Sequence, residues 1–296
     1  MTASLQTQRT ILLANTEAAQ DGGREPFGCL AAGRGGIMAE LTEVQNLLLS
    51  TSTVGVRVDA VDSIDTVMAK FTLAMRHKQA WLMTFANPAT AVLAARNAEF
   101  RDALVQFDMV APDGIGMVMA IQMLHRRPAS RISFDDTSLA PSVFKIAADQ
   151  DIGVVLAGGL PGVAEAARQR LLRAHPGLRI DEVFDGYQKI DAVVAAIIGL
   201  APGIVIAGMG APLQEQFLLK LAASGWNGLG FTCGGYLDQL SLKGTSYYPA
   251  WVDRYNIRWA YRLFMEPGRL WRRYLIDYPL FGVRLCGLLL RVSRSG

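Results

Sequence analysis

The sequence is poor in the residues that form disulfides and bind metals, and this excludes several classes of protein. Its three cysteines, Cys29, Cys233 and Cys286, are odd in number and widely spaced, which excludes a disulfide framework and a cysteine-based zinc site. Three histidines leave little for a metal site or for a Ser-His-Asp triad. Hydrophobic residues make up 51% of the 296 residues and charged residues 19%, which excludes an intrinsically disordered chain.

Long uncharged runs are also scarce. The longest, residues 192–214, has 23 residues and could cross a bilayer, but an Ala-Pro-Gly turn at 201–203 interrupts it. We therefore interpret it as a helix, a turn and a buried strand. The N-terminus lacks the apolar core of a signal peptide. The last apolar run, residues 278–292, contains Arg284 and Arg291, which is typical of an element lying at a membrane interface rather than crossing it.

The net charge of +3 is unevenly distributed. From Trp251 to the end, nine arginines stand against three acidic residues, a net charge of +6, so the preceding 250 residues carry −3. A Pro-Gly pair at 267–268 divides this aromatic segment into two amphipathic helical stretches. Arginine beside aromatic residues at helical spacing is typical of a helix lying on a membrane, and two helices packed on the body are the alternative. Nucleic-acid binding fits less well because Leu, Phe and Trp are dense here.

Apolar strands alternate with amphipathic helices from about residue 78 to residue 235. This rhythm predicts an α/β fold with a largely parallel sheet covered by helices on both faces, followed by a C-terminal amphipathic helical appendage. We expect a poorly ordered extension at residues 1–40, the core at residues 41–244 and a basic, aromatic, membrane-associating tail at residues 245–296.

Four junctions between a predicted strand and the next helix carry residues suited to ligand binding. Ligands of open α/β sheets bind where strands end and helices begin. The junctions lie at residues 84–88, 112–116, 158–162 and 208–215. Two are rich in glycine, but neither contains a complete dinucleotide fingerprint, and a P-loop is absent. The pattern favours a phosphate-bearing nucleotide over NAD.

Asp113 is the most informative single residue. It either caps the helix that follows or serves as a general base at the carboxyl edge of the sheet, and the direction of its side chain decides between these roles. Arg131 and the pair Asp135 and Asp136 lie in a polar segment that is either a solvated loop or part of the site. A D-x-D motif at residues 149–151 precedes a strand and should lie at the amino edge, so a metal-held nucleotide sugar is not indicated.

In their order along the chain, these junctions resemble the WecG/TagA/CpsF family of glycosyltransferases. The resemblance covers about residues 41–274 and rests on the runs TFANPATAVLAARN, FDMVAPDGIGMVMA, LAGGLPGVAEAA, FDGY and GMGAPLQE, and on R-x-x-x-D from Arg131 to Asp135. W-x-Y-R-L at 259–263 and E-P-x-R-L at 266–270 also resemble the family's tail motif.

The resemblance implies a Rossmann-like fold and an inverting, metal-independent glycosyltransferase. Its donor would be a UDP-sugar, with a glucosyl donor favoured, and its acceptor a polyprenyl-pyrophosphate-linked saccharide in exopolysaccharide or cell-surface polysaccharide synthesis. The protein would be cytoplasmic and peripheral on the inner face of the bacterial cell membrane, with the anionic membrane surface as a partner. The resemblance implies neither a metal or other cofactor nor a nucleic-acid partner, and a homo-oligomer is left open.

The resemblance also assigns roles to individual residues. Asp113 corresponds to the catalytic base of P-D-G, Arg131 to the family's arginine, and Gln214 to the glutamine of G-x-P-x-Q-E. Asn87 and Thr84 complete the expected catalytic residues. The expected donor-binding residues are Gly114, Gly158, Gly159, Gly186, Tyr187, Gly208 and Gly210. The expected acceptor-binding and membrane-binding residues are Arg262, Arg269, Arg272 and Arg273.

The implied chemistry agrees with the residue types. An inverting transfer is one displacement at the anomeric carbon, so it needs one base on the acceptor hydroxyl and stabilisation of the leaving UDP. Asp113 can supply the first, and helix N-termini aided by arginine can supply the second. Two other functions stay open. One is a nucleotide-dependent oxidoreductase or epimerase, although the glycine fingerprint and a Tyr-x-x-x-Lys pair are absent. The other is a non-catalytic sugar-nucleotide-binding module.

Overall fold

A computed structural model describes residues 50–77, 79–242, 252, 258–265 and 267–295 of the chain. They fall in one unit, which spans residues 43–296. The predicted extension at residues 1–40 and the predicted boundary between core and tail at residue 244 lie outside the described residues.

The strands of the described part are short and largely buried. They are β1 (Ser50–Thr53), β2 (Val56–Asp59), β3 (Trp81–Ala86), β4 (Met109–Pro112), β5 (Gly153–Gly158), β6 (Arg179–Phe184), β7 (Ile204–Gly208) and β8 (Leu229–Thr232). Strands β3 to β8 form a parallel sheet in the order β4-β3-β8-β7-β5-β6, and β1 and β2 form an antiparallel pair. The interior strands β5, β7 and β8 are buried at every position, because helices cover both faces.

Helices connect these strands and continue beyond the last one. They are α1 (Ile64–His77), α2 (Pro88–Arg96), α3 (Ala98–Val105), α4 (Ile115–His125), α5 (Leu139–Asp149), α6 (Val163–Ala174), α7 (Ile190–Leu200), α8 (Leu213–Ala223), α9 (Tyr236–Leu242), α10 (Arg258–Met265), α11 (Pro267–Arg272) and α12 (Tyr278–Ser295). A π-helical turn, Arg273–Asp277, joins α11 to α12. The predicted α/β, Rossmann-like fold with a C-terminal helical appendage is confirmed.

Two apolar clusters form the core, one on each face of the sheet. Helices α2, α3, α4, α7 and α8 bury side chains in the first cluster, and α1, α5, α6 and α9 bury theirs in the second. Alternate residues of a strand contribute to opposite clusters, since successive side chains point to opposite faces. In β3, for example, Leu82 belongs to the first cluster and Met83 to the second.

Helix α2 ends at Arg96, and a second helix, α3, follows it at once. Asn97 separates the two: its backbone N–H closes α2, and its Oδ1 accepts from the N–H of Phe100 at 2.9 Å, which caps α3. The uncharged run at residues 192–214 folds as predicted, with most of α7, a turn and then β7.

The C-terminal helices pack on the body. Helix α10 ends at Met265 and α11 begins at Pro267, so the predicted division at the Pro-Gly pair is confirmed. Helix α12 packs against α2 and α4, and its Phe281 is 4% exposed within the first core cluster. Nη1 of Arg96 in α2 lies 3.8 Å from Oδ1 of Asp277 in the π turn. Among the helices described, none is both long enough and apolar enough to cross a membrane.

Candidate active site

The carboxyl ends of the parallel strands open onto a cleft of about 1360 Å³. Its walls are formed by the strand-to-helix loops, and the π turn and the start of α12 line it as well. The predicted site residues that line it are Asn87, Asp113, Gly114, Arg131, Gly159, Gly186, Tyr187, Gly208, Gly210, Gln214 and Arg273. Thr84, Gly158 and Arg272 are not among its lining residues. The side chains of Arg262 and Arg269 lie outside the described part of the chain.

Asp113 follows β4 and does not cap the next helix. Helix α4 begins at Ile115, and its N-cap position is occupied by Gly114, whose φ of 83° favours glycine. The alternative in which Asp113 is the N-cap residue is therefore wrong. The backbone N–H of Asp113 donates to the carbonyl of Ala86 at 2.8 Å, which ties the loop to the end of β3. Its side chain is 29% exposed, and its Oδ1 lies 3.6 Å from Nε of Arg131.

Arg131 is held beside Asp113 by a second carboxylate. Nη2 of Arg131 donates to Oγ of Ser133 at 2.6 Å and to Oδ2 of Asp135 at 2.5 Å. Asp135 also accepts from Ser133 and from Thr137. Burial alone would raise the pKa of Asp135, but Arg131 and these hydrogen bonds outweigh it and lower the pKa overall. Asp135 therefore stays ionised and fixes the guanidinium group at the cleft.

Thr84 lies in the layer beneath the cleft and does not line it, and its catalytic role stays a prediction. It is fully buried, and its Oγ1 donates to Oε1 of Glu215 at 2.9 Å and lies 2.9 Å from Oγ1 of Thr232. Gln214 donates from Nε2 to the same Oε1 at 2.9 Å, and its own Oε1 accepts from the N–H of Gly234 at 3.2 Å. Glu215 thus joins the two expected residues, although we did not predict it as a site residue. The Gln-Glu pair at residues 214–215, in the fourth junction, is the sequence feature that could have indicated Glu215.

Asn87 serves as the N-cap of α2 and also lines the cleft. Its Oδ1 accepts from the N–H groups of Ala89 at 3.0 Å and Thr90 at 3.2 Å, and Pro88 occupies the first helical position. Because the cap uses the side-chain oxygen, the group that Asn87 offers to a ligand is its amide nitrogen.

The predicted donor-binding glycines serve two purposes. A Cβ at Gly158 would lie 2.3 Å from the carbonyl oxygen of Gly208, so Gly158 permits close packing of strand ends, and its predicted role in donor binding stays a prediction. Gly159 lines the cleft, and its carbonyl accepts from the N–H of Gly186 at 2.8 Å, which brings the loops after β5 and β6 together. Gly210 adopts a φ of 79° immediately before α8.

Arg273 brings a half-buried cation to the cleft from the C-terminal π turn. Its guanidinium carbon lies 5.9 Å from the ring centroids of both Tyr274 and Tyr278. Burial alone would lower the pKa of Arg273, but Tyr278, Tyr274 and Asp113 raise it overall. Its Nε has no hydrogen-bond partner among the described residues. The neighbouring Arg272 is exposed.

The cleft therefore combines the partly exposed carboxylate of Asp113 with two guanidinium groups and two helix N-termini, and Asp135, Glu215, Asp238 and Asp277 line it as well. Such a set can remove a proton from a hydroxyl and stabilise an anionic leaving group. Within the described ranges, no group of three or more His, Cys, Asp or Glu side chains is placed to hold a metal ion.

Comparison with known proteins identifies relatives of this chain. The model of the glycosyl transferase WecG/TagA/CpsF family matches residues 51–295. The UDP-Gal:alpha-D-GlcNAc-diphosphoundecaprenol beta-1,4-galactosyltransferase of Shigella boydii is 31% identical over 183 residues, which cover 60% of this chain and 76% of the relative. An N-acetylglucosaminyldiphosphoundecaprenol N-acetyl-beta-D-mannosaminyltransferase of Bacillus spizizenii is 30% identical over 225 residues, covering 74% and 86%. The Bacillus subtilis protein of the same name is 29% identical over 190 residues, covering 64% and 73%.

Proposed function

The chain belongs to the WecG/TagA/CpsF family of glycosyltransferases, and on that basis we propose that it moves a sugar from a UDP-sugar to a polyprenyl-diphosphate-linked saccharide, inverting the anomeric centre. The family match confirms the prediction that the chain is a glycosyltransferase. The observation that carries the mechanism is the placement of Asp113 beside Arg131 in the cleft, with Arg273 in the same cleft.

Asp113 is the general base of the proposed reaction. It accepts the proton of the acceptor hydroxyl as that oxygen attacks the anomeric carbon, while the bond from this carbon to the UDP oxygen breaks. A single displacement of this kind inverts the anomeric configuration and needs one carboxylate. Its partial exposure at 29% leaves the carboxylate accessible to an acceptor hydroxyl.

The leaving UDP gains negative charge, which the protein itself can stabilise. Arg131 lies in the cleft, and the N-termini of α6 and α8 follow the cleft residues Gly159 and Gly210. Guanidinium groups and helix N-termini interact favourably with phosphate oxygens. We therefore propose that the reaction does not need a metal ion.

Arg273 is the residue best placed for the diphosphate of the acceptor. Its Nε has no hydrogen-bond partner in the described part of the chain, and its guanidinium carbon lies 5.9 Å from the ring centroids of both Tyr274 and Tyr278. The names of the two relatives describe acceptors that carry a diphosphate joined to undecaprenol. A diphosphate seated at Arg273 would bring the acceptor sugar into the cleft that Asp113 lines.

The surface around the cleft mouth suits an anionic membrane. Ile115 of α4 and Leu275 of the π turn both line the cleft, yet they are 67% and 64% exposed. Met119 and Met123 continue the exposed stripe along α4, since residues four apart share a face of a helix. Residues 114–134 contain no acidic side chain but three arginines. We propose that this face and the C-terminal helices rest on the cytoplasmic face of the cell membrane.

Ligand-induced thermal stabilisation separates this proposal from the alternatives. UDP at 100 times its Kd should stabilise the folded protein by about 2.7 kcal/mol, and NAD should not. Release of UDP from a panel of UDP-sugars, with a lipid-diphosphate-linked GlcNAc acceptor, then identifies the donor. Stabilisation by NAD instead would favour the oxidoreductase or epimerase. Binding of UDP without turnover of any donor in the panel would favour the non-catalytic module.

A further inference from the structure

A carboxyl group without a charged partner lies under the floor of the cleft. Glu215 belongs to the first turn of α8, is 1% exposed, and lines the cleft from below. Its Oε1 accepts two hydrogen bonds, from Thr84 and from Gln214. Its Oε2 is buried and has no hydrogen-bond partner among the described residues. The two oxygens therefore differ: Oε1 accepts two hydrogen bonds, and Oε2 accepts none from the described residues.

The charged side chains of the surrounding helices are engaged elsewhere. Lys220 of α8 pairs with Asp191 of α7, and Glu99 of α3 accepts from Gln216. Cys233 follows β8 and also lines the cleft, and burial raises the pKa of its thiol to about 12, which keeps it neutral. An ionised Glu215 would be a buried negative charge without a positively charged partner among these side chains. Burying such a charge is costly in free energy, and proteins therefore avoid it.

We propose that Glu215 is a neutral carboxylic acid that positions Gln214 and Thr84 beneath a bound nucleoside diphosphate. It is a positioning residue, since its contacts are with these two side chains. With the proton on Oε2, Oε1 remains an acceptor for both neighbours, and Glu215 itself adds no negative charge to the cleft. Burial is also the main influence on the pKa of Glu215 and raises it.

The hydrogen bonds show what Glu215 holds in place. Gln214 is oriented at both ends, because Nε2 donates to Glu215 while Oε1 accepts from the N–H of Gly234. Thr84 connects Glu215 to Thr232, so the first turn of α8 is tied to the ends of β3 and β8. A neutral acid can make these links below the N-terminus of α8 without repelling an anion there. This ligand assignment rests on the function proposed above.

Two substitutions at Glu215 distinguish a neutral hydrogen-bonding acid from a side chain that only fills space. Glu215→Gln keeps an oxygen acceptor and mimics the neutral acid, whereas Glu215→Leu removes the acceptor. UDP affinity and kcat/KM should change by less than about threefold in the glutamine variant and fall by about tenfold or more in the leucine variant.

The pH profile of kcat/KM should match wild type in Glu215→Gln up to the pH at which wild-type Glu215 ionises, and above that pH the variant should retain more activity. Asp108→Asn is the matched control, because burial also raises the pKa of Asp108, which lies outside the cleft lining.

Infrared spectroscopy tests the protonation state without any ligand. At pH 7, wild-type protein should show a carbonyl band of a protonated carboxylic acid that disappears in Glu215→Gln and persists in Asp108→Asn. Absence of that band, or a loss of about a hundredfold in kcat/KM for a folded Glu215→Gln variant, would overturn the inference. If wild-type protein fails to bind UDP, the proposed function is wrong, while the band still reports whether Glu215 is neutral.

Discussion

Nε of Arg131 lies 3.6 Å from Oδ1 of Asp113, while Nη2 of the same guanidinium group donates to Asp135. Arg131 thus joins two carboxylates with different environments. Asp135 is the less exposed and also accepts from Thr137 and Ser133. Asp113 is the more exposed and lines the cleft. We infer that Asp135 anchors the arginine and that Asp113 meets the substrate.

Asp113→Asn removes the base but preserves the shape of the side chain. Transfer should fall by about 10²–10⁴-fold, the usual contribution of a general base. Thermal stability and UDP binding should change little, because Gly114 rather than Asp113 occupies the N-cap position of α4. Asp149→Asn is the control: this exposed carboxylate pairs with Lys145 and lies outside the cleft lining. Transfer within about threefold of wild type in the Asp113 variant would remove Asp113 from the mechanism.

The sequence predicts the sheet and most strand-to-helix junctions because buried parallel strands and their helices have distinct periodicities. It predicts the positions of Asp113 and Gln214 for the same reason, since both lie at junctions. The place of Thr84 depends on which strand lies beside β3, and that strand is β8, far along the chain. The hydrogen bond from Thr84 to Glu215 joins residues 131 positions apart. No local pattern reports such a contact.

The sequence assigned the same role to Arg272 and Arg273, but the structure places their side chains differently. Residues 273–277 form a π-helical turn, whose wider repeat changes the direction of side chains relative to an α-helix. Arg273 is half-buried and lines the cleft, whereas Arg272 is exposed and does not. Spacing rules that assume 3.6 residues per turn cannot anticipate this difference.

Arg273 and Arg272 provide a matched pair of variants. Arg273→Ala should lower kcat/KM for the lipid-linked acceptor by about 30-fold or more, since charge-assisted hydrogen bonds to the diphosphate would be lost. Arg272→Ala should retain most activity toward a short-chain, water-soluble acceptor, because its side chain is exposed and does not line the cleft. Steady-state kinetics with both acceptors make the comparison. Equal losses in the two variants would contradict a specific role for Arg273.

Chelation tests the proposed independence from metal ions. Activity should survive excess EDTA, since arginines and helix N-termini are expected to stabilise the leaving UDP. UDP release with and without EDTA measures this, with a Mg²⁺-dependent glycosyltransferase as the control for effective chelation. Complete loss of activity that Mg²⁺ or Mn²⁺ restores would contradict the prediction and direct attention to Asp135 and Asp136.

Membrane docking is best tested on the exposed stripe of α4 rather than by deleting the tail. Deletion would remove Phe281 and Leu270, which are buried, and would confuse unfolding with loss of binding. The double variant Met119→Glu/Met123→Glu changes half-exposed side chains, so the fold should persist. Its partition onto anionic liposomes should fall by more than about tenfold, because apolar contact is lost and two negative charges are added.

Sedimentation with liposomes of anionic and of zwitterionic lipid measures this partition. Wild-type binding should weaken with salt and on zwitterionic lipid, since arginine contributes to it. Val105→Glu is the control, because Val105 is 59% exposed on α3 and lies outside the cleft lining. That variant should sediment like wild type. If the α4 variant also sediments like wild type with anionic liposomes, α4 does not face the membrane, and the C-terminal helices alone would have to provide the contact.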